Sequence, residues 1–512
     1  MISSFLPGRF PVRIRTRTGR LRAHDGPFVV TKDALSPFSR GAPGWIAICL
    51  ESESVASLCF CTLVMPLPSR PSAPRTVQLP AFFVLLARNL FLFVLLCAAI
   101  ASSSHAQTPG ETASSETASS ETASPRTIAF EGGQWFDGTQ FIGRTLYIQN
   151  GRFTGERPAK VDTTISLNGH YVVPPFAEAH THKVDQASMI EGANRAYLED
   201  GVFYVANLNN LPSFANSLRE QLSGPTTIDA AFAHGGFTAP GDHPQPLYEN
   251  LIERGVYDGW TTEDLPGEAF HAVTDSKELQ ASFQTIMADN PDIIKAYLMY
   301  AETDNAGGLT PELLAELVEM ADTAGIRVTV HAQDANDVRL AAEAGAHQIA
   351  HMPPMPFRHD SGDRYRISPA VARLLAEKNV SVITTTVLVS RFDDGERKEY
   401  IRSIQRENLT TLQKAGVRLA VGSDTWSSGQ NEAMHLHDLG VFDNQTLLRM
   451  WTDTGSVIFP GRTIGRLAPD YEASLLALSC NPLDDFTCVD NIDMRIKQGV
   501  VINLPPVPSS AR

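Results

Sequence analysis

Six side chains in this sequence have the types and the order needed to hold and use a divalent metal ion: His180, His182, Lys295, His331, His351 and Asp424. His180 and His182 stand one residue apart at the end of the apolar run that begins at Val172. Residues i and i+2 of a strand point the same way, so the two imidazoles can grip one ion together. Imidazole and carboxylate are the ligands a borderline divalent ion such as zinc prefers. A lysine ammonium binds no metal, but its carbamate, formed with carbon dioxide, can bridge two ions. Taken singly, a strand-end histidine is a core residue and a rim aspartate a helix cap. The reading rests on the series.

Such a series needs a scaffold that brings distant residues to one point. The sequence predicts strands over Val202–Leu208, Thr227–Ala233, Ile293–Met299, Val328–His331, Gln348–His351, Val380–Thr385 and Leu419–Val421, with one more leading into His180. Amphipathic stretches at Pro311–Ala324, Ala335–Ala344, Pro369–Lys378 and Arg402–Lys414 separate several of them. Eight strands alternating with helices predict an α/β fold of the parallel (β/α)8 barrel type, whose active-site groups gather at the C-terminal ends of the strands. All six candidates are expected at such ends, Lys295 included.

The chain resembles the amidohydrolase superfamily, in particular its imidazolonepropionase-like and prolidase-like metal-dependent hydrolases. The resemblance runs from about residue 127 to 505. It is carried by His180-Thr-His182, Ile293-Ile-Lys295, Val330-His331-Ala, Ala344-Gly-Ala-His-Gln-Ile-Ala-His351 and Gly422-Ser-Asp424. Gly132-Gly-Gln-Trp-Phe-Asp-Gly138 and the run from Ile464 to Leu475 fit a small composite β-sandwich, built from 127–173 and 466–505 around a barrel spanning 174–465. The resemblance implies two ions, zinc foremost: His180, His182 and Asp424 on one, His331 and His351 on the other, carbamylated Lys295 between them. It implies Asp424 as the proton-transferring group in hydrolysis of a C–N bond in an amide, cyclic amide or dipeptide. The alternatives are a mononuclear cyclic-amide hydrolase or deaminase with a structural Lys295, a lactonase or phosphoesterase, and last an exported binding protein without turnover. The chain departs from the family pattern at Pro174-Pro-Phe-Ala-Glu178, where an Asp is usual for Glu178, and at Ala350 and Met352 beside His351. His243, in the loop after the third strand, and Tyr300, just past Lys295, are the candidate substrate contacts. Arg391 is read as a solvated loop residue.

Composition bounds the rest. Of 512 residues, 43% are hydrophobic, enough for a sizeable core, and the formal charge is -15. Residues 1–106 hold 11 Lys+Arg and 4 Asp+Glu, a net of +7, which leaves -22 on the remainder. So acidic a body argues against nucleic acid and for a small-molecule amide or peptide as partner. The apolar block 90–101, followed by Ser104-His105-Ala106, has the length of a signal-peptide core and falls short of the roughly 20 residues of a membrane span. An exported protein, periplasmic or secreted, is expected, meeting a membrane only through that segment if it stays uncleaved. Met65 makes a conventional start for it, and 1–64 read as an upstream extension. Residues 107–126, with Glu-Thr-Ala-Ser repeats, read as a low-complexity tether. Only Cys480 and Cys488 follow the signal, close enough to pair in an oxidising compartment. The oligomeric state is left open, a homo-oligomer included.

Overall fold

A computed structural model describes residues 127–354, 362–426 and 428–504. The extension, the signal-like block and the tether lie outside the described residues. Among those described, no helix is long and apolar enough to cross a membrane.

Eight parallel strands form the barrel: β1 (Phe176–Thr181), β2 (Val202–Leu208), β3 (Asp229–Ala233), β4 (Ile293–Met299), β5 (Arg327–Ala332), β6 (Gln348–Ile349), β7 (Ser381–Ile383) and β8 (Leu419–Ala420), each paired with the next. Every residue of β1 and β2 is buried, as expected of strands covered on both faces. The barrel closes between β1 and β8: Ala179 N–H donates to the Val421 carbonyl (2.8 Å) and Asp424 N–H to the His180 carbonyl (2.8 Å). Gly422 sits in this seam, where a Cβ would lie 2.5 Å from Ile383 and 2.8 Å from the His180 nitrogen, so only glycine allows the approach.

Helix ends follow their local chemistry. Thr310 caps the helix Pro311–Ala324 by accepting from Leu313 N–H, Pro311 occupies its first turn, and Gly325 ends it at φ 72°. The last barrel helix, Asn444–Ile458, packs on β1 through Trp451, whose ring stacks on Phe176 with centroids 3.7 Å apart. Trp451 also donates its indole N–H to the Ala177 carbonyl at 3.0 Å.

Two further sheets build the satellite layer. One has four strands, Arg152–Thr154, Leu146–Gln149, Ile128–Glu131 and Thr163–Ser166. The other has six and mixes the two ends of the described chain: Tyr171–Val173 pairs with Leu475–Leu478 on one side and Gln134–Phe136 on the other. The composite sandwich is thus made of segments before and after the barrel, with its own apolar core around Trp135, Phe130, Phe153 and Leu475. Lys497, fully buried, ties it to the barrel by donating to the Gly224 and Thr227 carbonyls and pairing with Asp229 at 2.6 Å.

The third β/α unit is more elaborate than expected. After β3 the chain forms Gly236–Thr238, which pairs with β4 and with Phe270–Ala272. The excursion between them carries the helix Gln245–Glu253 and a separate aromatic cluster including Tyr248 and Tyr257. A disulfide joins Cys480 to Cys488, with Cα atoms 5.5 Å apart.

Candidate metal centre

The seam that closes the barrel also assembles a cluster of histidines around an aspartate. His180 and His182 leave the end of β1 together, and the β8 connection delivers Asp424 between them. Asp424 Oδ1 lies 3.3 Å from His180 Nε2 and 3.1 Å from His182 Nε2, and its Oδ2 lies 3.6 Å from His351 Nδ1. Ligand atoms of His180, His182 and Asp424 lie within 4.8 Å of one another. Asp424 adopts φ 51°, a left-handed conformation unusual for a non-glycine residue and held here by the seam. His180 is oriented from behind by the Ala350 carbonyl, 3.2 Å from its Nδ1. His351 follows β6, and its ring lies 4.6 Å from those of His180 and His331. His331 is steadied by Gln333, Oε1 to Nε2 3.0 Å.

Lys295 departs from expectation in one respect. It is the third of seven residues in β4, opposite Thr329, while Tyr297 stands opposite His331. Lys295 therefore enters below the rim, because β4 continues past it; its side chain still lines the same cavity. No hydrogen bond joins its ammonium to a described residue, and its nearest ring partner is Tyr297, 5.3 Å from Nζ.

Burial dominates the electrostatics. It lowers Lys295 to about 7, against a smaller opposing pull from Asp424. It lowers His180 to about 3 and takes His331 and His351 well below the usual imidazole range. Burial alone would raise Asp424, but the surrounding imidazoles outweigh it and hold the carboxyl well below its usual range. Neutral imidazoles, an ionised carboxylate and a lysine close to its neutral form are the donor states a divalent cation requires. His351 Nδ1 is buried without a hydrogen-bond partner, a cost that coordination would remove. The residues fit a divalent cation.

A cavity of about 410 Å³ opens over these groups. His243 lines it, its ring 5.2 Å from Tyr297 and 5.4 Å from His331. Tyr300 does not line it. It follows β4 at φ 54°, and its hydroxyl lies 3.3 Å from that of Tyr365, with Arg364 against its ring. Tyr297 takes the place expected of it, since residues 295, 297 and 299 alternate onto the cavity side. Arg391 is exposed, as expected, but it also lines the cavity and donates to the Asp424 carbonyl at 3.3 Å. Sequence reasoning also missed the wall around Asn209. Its Nδ2 donates to the Tyr248 hydroxyl (2.9 Å), and its Oδ1 accepts from the Tyr297 hydroxyl (3.0 Å) and Gly236 N–H (2.7 Å). Tyr257 continues the wall by donating to Asp185.

Comparison with known proteins bears on the fold and the family. No curated protein matches the sequence. Among solved structures, a Xaa-Pro dipeptidase with bound methionine is similar at 18% identity and TM-score 0.59, covering 73% of this chain and 99% of that one. Ochratoxinase from A. niger is similar at 15% identity and TM-score 0.60, covering 76% and 99%. Molinate hydrolase gives 17% and 0.60, covering 74% and 95%. At such identities the likeness establishes the fold. The sequence itself goes further: the profile of the amidohydrolase family matches residues 171–502, from the strand that enters the barrel to the end of the returning sandwich, and the chain belongs to that family.

Proposed function

We propose that this protein is a metal-dependent amidohydrolase that cleaves a C–N bond in a small amide, cyclic amide or dipeptide. The convergence of His180, His182, His351 and Asp424 at one barrel mouth, with a buried His351 Nδ1 that makes no hydrogen bond, carries the reading. His180, His182 and Asp424 would hold one ion, His331 and His351 a second, and Lys295 as its carbamate would bridge them. Zinc suits this donor set. When bound, such ions bring the pKa of water toward neutrality and polarise a carbonyl. The remaining work falls to the chain. Asp424, ionised and beside both histidines of β1, accepts the proton of the attacking water and delivers it to the departing nitrogen as the C–O bond forms and the C–N bond breaks. His243 faces the substrate from the loop above. A dipeptide is one substrate we put forward, since a Xaa-Pro dipeptidase shares the fold.

A second reading is a single-ion enzyme in which Lys295 is structural. Its support is that the tightest group of ligand atoms is His180, His182 and Asp424 alone. Metal content by mass spectrometry, with bicarbonate supplied, separates the two. Close to two ions per chain, falling toward one or none in Lys295→Ala, supports the bridged centre. One ion unaffected by that substitution supports the second reading, and none at all refutes both. We also place the protein outside the cytoplasm. The signal-like block 90–101 and the Cys480–Cys488 disulfide, a bond that persists in oxidising compartments, support this.

A further inference from the structure

The walls of the cavity differ sharply from side to side. In the closed order of strands, β3 and β7 lie four places apart and so face each other across the mouth. The excursion after β3 contributes Leu247, Tyr248, Leu251 and Tyr257, with Leu208 and Met299 beside them, an apolar and aromatic wall. Among the described residues only five large apolar side chains are exposed, and two of them rim this one cavity: Leu247 (47%) on this wall and Trp426 (53%) past β8. Exposed apolar side chains gathered at a cavity mouth mark a place where apolar surface is buried on binding.

Across the mouth stands Arg391, at the end of the turn Thr386–Arg391 that follows β7. Its one hydrogen bond is to the Asp424 carbonyl, and among the described residues it has no carboxylate partner. A guanidinium without a counterion beside a site of this kind can take a planar anion such as a carboxylate through two N–H donors.

We infer that the cavity selects amides with two unlike arms: a bulky apolar or aromatic group against the wall after β3, and a carboxylate held by Arg391. N-acylated amino acids with a large acyl or aryl group are the simplest such compounds. The inference rests on the hydrolase reading for turnover, while selection by the two walls is a matter of binding.

The test uses the metal-loaded full chain and three sulfonamides, isosteres of an acyl amide that are not hydrolysed. They are N-(naphthalene-2-sulfonyl)alanine, its methylamide, which lacks the carboxylate, and N-methanesulfonylalanine, which lacks the ring. By titration calorimetry the first should bind at least about tenfold more tightly than either of the others, in keeping with one charged contact or one buried ring. Arg391→Ala should remove its advantage over the methylamide and leave its advantage over the methanesulfonyl compound, while Arg391→Lys retains part of the former. Leu247→Ala with Leu251→Ala should do the converse. Equal affinities for all three, or an Arg391→Ala loss that is the same for the methylamide, would overturn the inference. N-(2-naphthoyl)alanine then tests turnover: discrimination among the sulfonamides without its cleavage removes the hydrolase reading and keeps the two-armed cavity.

Discussion

Glu178 stands where the family usually has Asp, and its surroundings give a prediction with a definite size. The carboxyl is fully buried in β1; Oε1 accepts from His180 N–H (3.0 Å) and Ser423 N–H (2.8 Å), and Oε2 has no partner. Burial pushes it from 4.5 up to about 8, with Glu432 adding to the rise and the two backbone donors opposing it. Glu178 is therefore a neutral acid at pH 7. Between 4.5 and about 8 the folded protein keeps a proton that the unfolded chain has lost, so stability falls as pH rises through this window. At about 1.36 kcal/mol per pH unit, the accumulated loss above pH 8 is about 5 kcal/mol. Glu178→Gln does not titrate, and its carbonyl can accept the same two N–H groups. Urea denaturation of the metal-free protein should show wild type and variant within about 1 kcal/mol of each other near pH 5. The variant should pull ahead steadily, by about 5 kcal/mol at pH 9. Parallel curves from pH 5 to 9 would refute the assignment of a protonated Glu178.

Three other perturbations have defined outcomes. Asp424→Asn removes the proton acceptor we propose while preserving shape; kcat should fall by about 10²–10⁴-fold with an unchanged circular dichroism spectrum. Trp451→Phe keeps the stack on Phe176 but leaves the Ala177 carbonyl without its indole donor, and denaturant titration should register a loss of about 1–3 kcal/mol. Lys497→Met leaves Asp229 paired with Arg462 alone (2.7 Å) and strands two carbonyls in the layer between sandwich and barrel; the expected cost is about 1–3 kcal/mol, with activity per folded molecule unchanged.

The barrel was legible because strands buried on both faces, such as Val202–Leu208, are written as unbroken apolar runs. The helix Pro311–Ala324 was legible because Thr310, Pro311 and Gly325 mark its ends chemically. What escaped had physical reasons. The extent of β4 is legible as Ile293–Met299, but Lys295 is its third residue rather than its last, and alternation along it brings Tyr297, not Tyr300, onto the cavity. Gly236–Thr238 and Phe270–Ala272 are too short to show a period and exist through pairing with each other and β4. Arg391 lies on a turn, where no periodicity tells which way a side chain points. The Asn209 wall joins residues up to 88 apart in sequence, contacts that no local pattern encodes.

The sheet shared by the two ends of the chain sets an order on biosynthesis. Tyr171–Val173 leaves the ribosome early, yet its partner Leu475–Leu478 is made some 300 residues later, and the barrel seam at β8 comes only shortly before it. During translation the nascent chain therefore holds an open sheet with β1 unpaired on its closing side, and His180 and His182 wait for Asp424 until most of the polypeptide exists. The barrel seam is therefore complete before the six-stranded sheet is: a stop codon between the last barrel helix and residue 475 would leave a closed barrel beside a sheet with an unsatisfied edge, whereas one upstream of β8 would leave both open.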